Sequence, residues 1–179
     1  MDTKRIKGLQ VMTLAGVKAG AVDQIFFDPA TKRVAGFVLQ AEPGLPGDAS
    51  PRLIEADDVH ALGADALTVP DDTVIRNPET GTPLATLVEM DDLAKRQVVT
   101  EAGTLLGQVA AIELDPLTLR LARIEVSAGF FKSNTWIPAE QVTNVGTDAI
   151  MVADTVAAPG ETTGMPAAEP AAMAHANGR

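Results

Sequence analysis

The chain has 179 residues, 46% of them hydrophobic, with 14 Lys and Arg against 24 Asp and Glu. It contains no Cys or Tyr and only two His, which excludes disulfides, thiolate chemistry, Cys-based zinc or iron–sulfur sites and a His-rich metal centre. The acidic excess lies mainly in the second half of the chain. Nucleic-acid binding needs the opposite sign, because cations must displace the counterions condensed on phosphates, so direct nucleic-acid binding is not expected.

The chain opens on a small basic cluster, Lys4, Arg5 and Lys7, set against Asp2 and read as a solvated terminus. Ile6–Val17 is interrupted by Lys7, Gln10 and Thr13 and lacks the basic-then-apolar order of a secretion signal. The longest uncharged run, near Ala102–Ile112, falls short of the roughly 18–20 residues of a membrane span. The expectation is a soluble cytoplasmic protein with no integral membrane segment.

The strongest signal is an internal repeat. Sliding the chain by 87 residues lays Ile6–Ala41 on Leu93–Ala128. Gln10-Val11 then meets Gln97-Val98, Thr13-x-Ala15-Gly16 meets Thr100-x-Ala102-Gly103, and Gly20-x-Val22-x-x-Ile25 meets Gly107-x-Val109-x-x-Ile112. Asp28-Pro29-x-Thr31-x-Arg33 meets Asp115-Pro116-x-Thr118-x-Arg120. A loop four residues longer in the first copy shifts the offset to 83, after which Leu53-Ile54-x-Ala56 meets Trp136-Ile137-x-Ala139 and Gly63-x-Asp65-Ala66 meets Gly146-x-Asp148-Ala149.

Each copy reads as β-rich. Gly16 and Gly103 suit the positive φ of a tight hairpin turn. Asp28-Pro29 and Asp115-Pro116 mark the next turn, where Pro presets φ and the Asp side chain caps the backbone ahead of it. Val34–Leu39 and Leu121–Val126 follow as strands; Ala122, Ile124 and Val126 take one face while Arg123 and Glu125 take the other. Ile112 and Leu114 share a face, and Val22 and Val109 break the two-residue period, which predicts a bulge of the kind small closed barrels require. Arg52–Glu55, a turn through Ala56–Asp58, Val59–Gly63 and Ala66–Val69 complete the unit, and the second copy repeats them.

These motifs, together with Ile137-Pro138-Ala139-Glu140-Gln141-Val142 followed by Gly146-x-Asp148-Ala149, resemble the PRC-barrel family; the first copy departs by having Ile54-Glu55 where Ile-Pro is usual. The resemblance spans roughly residues 6–71 and 93–154. It implies an all-β protein of two tandem small PRC-type β-barrels. The chain divides into a first barrel over 1–75, a short linker over 76–92, a second barrel over 93–154 and a disordered Ala/Pro-rich tail over 155–179. Leu84–Leu93, apolar at 84, 87, 88 and 90, reads as one or two helical turns.

The chemistry-bearing residues have structural explanations. His60 is the only histidine inside a barrel and is replaced by Thr143 in the other copy. The repeated Asp28 and Asp115 precede Pro in turns. Gly16-x-x-x-Gly20 lacks the Lys-Ser/Thr ending of a phosphate loop. Asp57-Asp58 and Asp91-Asp92 lack the spaced ligands of a calcium loop and read as solvated acid pairs. No catalytic residue, cofactor or metal is expected.

The informative contrast lies between outward positions of the two copies. Glu113, Arg123 and Glu125 of the second copy correspond to Phe26, Gly36 and Val38 of the first. Phe26 and Val38 are therefore candidate interface residues, packing on the other barrel or on a second subunit. Phe130 and Phe131, in a loop where the first copy has turn formers, are a second candidate pair. The resemblance implies a non-enzymatic interaction or scaffold module that grips a protein partner, with a homodimer as one such arrangement. The alternatives are an accessory factor in ribosome or RNA maturation, and a membrane-peripheral assembly factor similar to the cytoplasmic domain of the photosynthetic reaction-centre H subunit.

Overall fold

The computed structural model describes residues 1–40, 52–77, 87–129 and 133–156. Phe130, Phe131 and most of the Ala/Pro-rich tail lie outside them, as do positions 84–86 of the expected helical segment. Within the described residues no helix is long and apolar enough to cross a membrane.

The first repeat runs α1 (Thr3–Ile6), β1 (Gln10–Thr13), β2 (Lys18–Asp28), β3 (Arg33–Leu39), β4 (Arg52–Glu55), a 3-10 turn at Ala56–Asp58, β5 (Ala61–Leu62) and β6 (Ala66–Val69). A second 3-10 turn, Asp72–Val74, follows. The second repeat runs β7 (Val88–Glu89), α2 (Met90–Leu93), β8 (Gln97–Thr100), β9 (Leu105–Leu114), β10 (Leu121–Ser127), β11 (Thr135–Pro138), a 3-10 turn at Ala139–Gln141, β12 (Val142–Val145) and β13 (Ala149–Val152). The strand orders are β4-β3-β2-β1-β6-β5 and β11-β10-β9-β8-β13-β12, the same permutation twice. The β1–β6 and β8–β13 pairs are parallel and the other neighbours antiparallel.

The predicted turns form for the predicted reasons. Gly16 and Gly103 turn their hairpins at φ of 78° and 86°, a region that costs glycine nothing. Asp28 accepts from the Ala30 amide at 2.9 Å and the Thr31 hydroxyl at 2.8 Å, and Asp115 accepts from the Leu117 and Thr118 amides. The bulges also form: register slips between Val22 and Gln24, and between Glu125 and Val126 opposite Ala111 and Val109. Both valines therefore stay in the core beside Ile25 and Ile112.

One expectation needs correction. The run Val59–Gly63 yields only the two-residue β5, because the Val59 amide closes the 3-10 turn on the Ala56 carbonyl. The expected pair of tandem barrel-type units forms, each sheet making a half-barrel-like domain; among the described residues β4 and β5 do not pair, and the turn at Ala56–Asp58 separates them.

The halves meet across a pseudo-two-fold seam. The Val34 amide donates to the Leu119 carbonyl at 2.8 Å, and its repeat-mate Leu121 donates to Lys32 at 2.9 Å. Arg33 and Arg120 face each other in an antiparallel bridge. Lys32 and Leu119 sit at φ of 53° and 56°, a left-handed conformation costing side-chain-bearing residues about 1–3 kcal/mol. That conformation aims their carbonyls at the other copy. Leu119 is buried, and the Lys32 ammonium donates to the Val142 carbonyl across the seam.

The repeats also exchange their leading segments. Residues 1–6 run along β9 of the second repeat, with Asp2 bridging Glu113 and the Leu114 amide donating to the Met1 carbonyl. Correspondingly, Val88 and Glu89 pair with Phe27 and Phe26 of β2. The 87-residue offset maps each contact onto the other. Ile6 and Leu93, equivalent by that offset, are 0% and 3% exposed. Ile6, Met90 and Leu93 join residues of both sheets in one contiguous apolar cluster. Segment 87–92, the end of the stretch read from sequence as linker, and Leu93 thus form the second repeat's arm on the first repeat.

Truncating a buried leucine removes its transfer energy and leaves a cavity, at about 2–5 kcal/mol. Leu93→Ala should therefore lower Tm by roughly 5–15 °C while the fluorescence of Trp136 and the far-UV signal still change together. Thermal melts followed by both probes check this.

Candidate protein interface

The outward face of each half-barrel is a small grid fixed by register. In the first repeat its rows are Gln24–Val38–Leu53 and Phe26–Gly36–Glu55. In the second they are Ala111–Glu125–Trp136 and Glu113–Arg123–Pro138. Strand alternation puts Ile25, Phe27 and Phe37, and likewise Ile112, Ile124 and Ile137, on the core side.

In the first repeat the grid is covered. Val38 is 5% exposed and Leu53 1%, although neither joins the main core. Phe26 is half-buried and stands opposite Glu89 of the exchanged arm. Gly36 is required by its neighbour, since a Cβ there would lie 2.8 Å from the Ile54 carbonyl and 3.1 Å from Leu53 Cδ1. The segment after β6 closes the far side. Arg76 exchanges backbone hydrogen bonds with Leu53 at 2.7 and 2.9 Å, and its guanidinium reaches Glu55 at 3.4 Å and Asp58 at 3.1 Å. Of the expected interface positions, Val38 is buried in the row of Leu53 and Phe26 lies opposite the exchanged arm.

In the second repeat the grid is charged, with Arg123, Trp136 and Pro138 exposed, Glu113 and Glu125 half-buried and Ala111 buried. Arg123 pairs with Glu113 at 2.6 Å and lies 4.1 Å over the ring of Trp136. Trp136 is 38% exposed and is the sole tryptophan of the chain. Trp136 is not among the interface residues expected from the sequence. The usable signal was its alternation with buried Ile137, which turns the indole outward.

The acid pairs each have a cationic partner, while Asp57, Asp91 and Asp92 keep half or more of their side chains in solvent, as expected. Asp57 binds Arg33 at 2.5 Å, Asp58 binds Arg76, Asp91 binds Lys7 at 2.6 Å and Asp92 approaches Lys95 at 3.4 Å. A cleft of about 320 Å³ at the seam is lined by Asp28, Thr31, Arg33, Glu55, Asp57 and Arg120. Its arginines are engaged at the seam, Arg33 on the Thr118 carbonyl and Arg120 on that of Thr31. His60 is exposed. Among the described residues no three His, Cys, Asp or Glu converge on a metal-sized space.

Hydrogen bonding sets the carboxylate acidities. The Arg123 side chain holds Glu113 below its ordinary value, opposed by partial burial. Thr31 does the same for Asp28, Thr73 for Asp71, and the Thr118 and Leu117 amides for Asp115. A depressed folded-state pKa contributes stability that is present above the unfolded carboxylate range, about 4, and lost as pH falls through the folded value. Glu113→Gln should therefore melt below wild type at neutral pH, with the gap closing as pH drops below about 4. An offset that stayed constant to acid pH would remove the Glu113–Arg123 pair from the stability account.

No curated protein matches the chain. A family does: the PRC-barrel domain matches twice, over residues 1–75 and 86–158. The second match begins upstream of β7, so that both arms fall inside the matched regions. With most of its length covered by the two matches and the same strand permutation in each half, the chain belongs to the PRC-barrel domain family.

Proposed function

We propose that the protein is a non-enzymatic scaffold of two PRC-barrel domains that grips another protein in the cytoplasm through its second repeat. The observation that carries this reading is the unequal treatment of one surface in two otherwise matched halves. The first repeat buries Val38 and Leu53 of its outward grid, whereas the second leaves the equivalent of Leu53, Trp136, exposed with Arg123 stacked on it. Tryptophan and arginine are the residue types that dominate protein-binding hot spots. The ionisable groups support the same reading, because each displaced carboxylate is engaged by a turn or an ion pair that shapes the fold.

The test is photo-crosslinking in cells from a photoreactive residue placed at exposed Pro138. A defined protein partner is expected, with crosslink yield falling roughly tenfold or more in the Trp136→Ala chain. A yield unaffected by Trp136→Ala, or only background from this face, would overturn the reading.

A further inference from the structure

We infer that the edge of β11 at Trp136, unpaired among the described residues, is a strand-addition site for an extended segment of another, basic protein that sets an apolar side chain beside the indole. The inference rests on the scaffold reading and gives it a site and a partner chemistry.

The first repeat shows what such an edge accepts. Leu53 of β4 uses its outward amide and carbonyl to bond Arg76, and the Arg76 side chain is received by Glu55 and Asp58. Trp136 occupies the same register position: Leu53 stands opposite Val38, and Trp136 opposite the equivalent Glu125. Its amide and carbonyl therefore point away from β10, and among the described residues nothing bonds them from that side.

The acids that receive Arg76 in the first repeat have changed in the second, Glu55 and Asp58 being replaced by Pro138 and Gln141. An incoming strand would supply the backbone pairing, as in strand addition to an exposed sheet edge. Its residue beside Trp136 and Pro138 meets apolar surface, which suits an aliphatic side chain and not an arginine.

Charge selects the partner. Glu125 lies in the Trp136 row and exposed Glu140 follows Pro138, within a chain of net charge −10. Flanking Lys or Arg on the incoming strand is attracted, whereas a second copy of this chain brings −10 against −10.

The experiment uses the full chain and a blocked peptide derived from its own strap Asp72–Asn77, rebuilt as Lys-Thr-Val-Ile-Val-Lys. Trp136 is the only tryptophan, so its fluorescence reports this site alone. The expected result is a saturable blue shift below about 1 mM peptide with slowed exchange of the Trp136 amide. The companion peptide Lys-Thr-Val-Ile-Pro-Lys, which lacks one backbone donor, should bind at least about tenfold more weakly. Equal binding of both peptides, or no saturable change, overturns the inference. So does a Trp136 amide already protected in the free chain: protection unchanged by dilution would mean the tail covers the edge, and protection lost on dilution would mean a second copy does. Failure here with the Pro138 crosslink retained removes the strand-addition site and leaves the scaffold reading standing; loss of both removes both.

Discussion

The paired hydrogen bonds across the seam, Val34 to Leu119 and Leu121 to Lys32, are the constraint on which the rest of the molecule depends. They fix the two half-barrels about a pseudo-two-fold and require a left-handed conformation at Lys32 and Leu119. Once that relation is set, each arm reaches the other repeat. Residues 1–6 lie on β9, and residues 88–93 lie on β2. Neither half-barrel completes its apolar core with its own leading segment, so the fold is a property of the pair.

That symmetry serves as a frame for an asymmetric surface. The core positions are kept as matched apolar pairs, Ile25 with Ile112 and Ile54 with Ile137. The outward positions diverge, from Phe26, Gly36, Val38 and Leu53 to Glu113, Arg123, Glu125 and Trp136. In one half the strap through Arg76 pairs with buried Leu53; in the other the equivalent Trp136 is exposed. Duplication thus leaves one copy free to act as support while the other presents contact residues, without disturbing the register that places them.

Much of the architecture was legible because turn chemistry is local. Asp28-Pro29, Gly16 and their mates dictate backbone conformations that survive any tertiary context, and the break in alternation at Val22 and Val109 announced the bulges. The exchanged arms were not legible. Residues 1–5 and 88–92 share no identity, only an apolar residue followed by an acid, Met1-Asp2 and Val88-Glu89, and a pairing between halves leaves no local signature. Alternation placed Val38 outward, but whether an outward residue is exposed depends on what crosses it. The strap at Arg76 is non-local information of that kind. Trp136 was legible by parity with Ile137 and gained meaning only beside covered Leu53.

The central claim is that the two repeats form one cooperative unit through the seam and the exchanged arms. Differential scanning calorimetry of the full chain tests it most directly, because the van't Hoff enthalpy measures the size of the unit that melts. At about 0.7 kcal/mol per residue near 60 °C, the two repeats together give on the order of 100 kcal/mol and one repeat about half of that. The account predicts a single transition whose calorimetric and van't Hoff enthalpies agree at the larger value. Two transitions, or a van't Hoff enthalpy near half the calorimetric one, would contradict it.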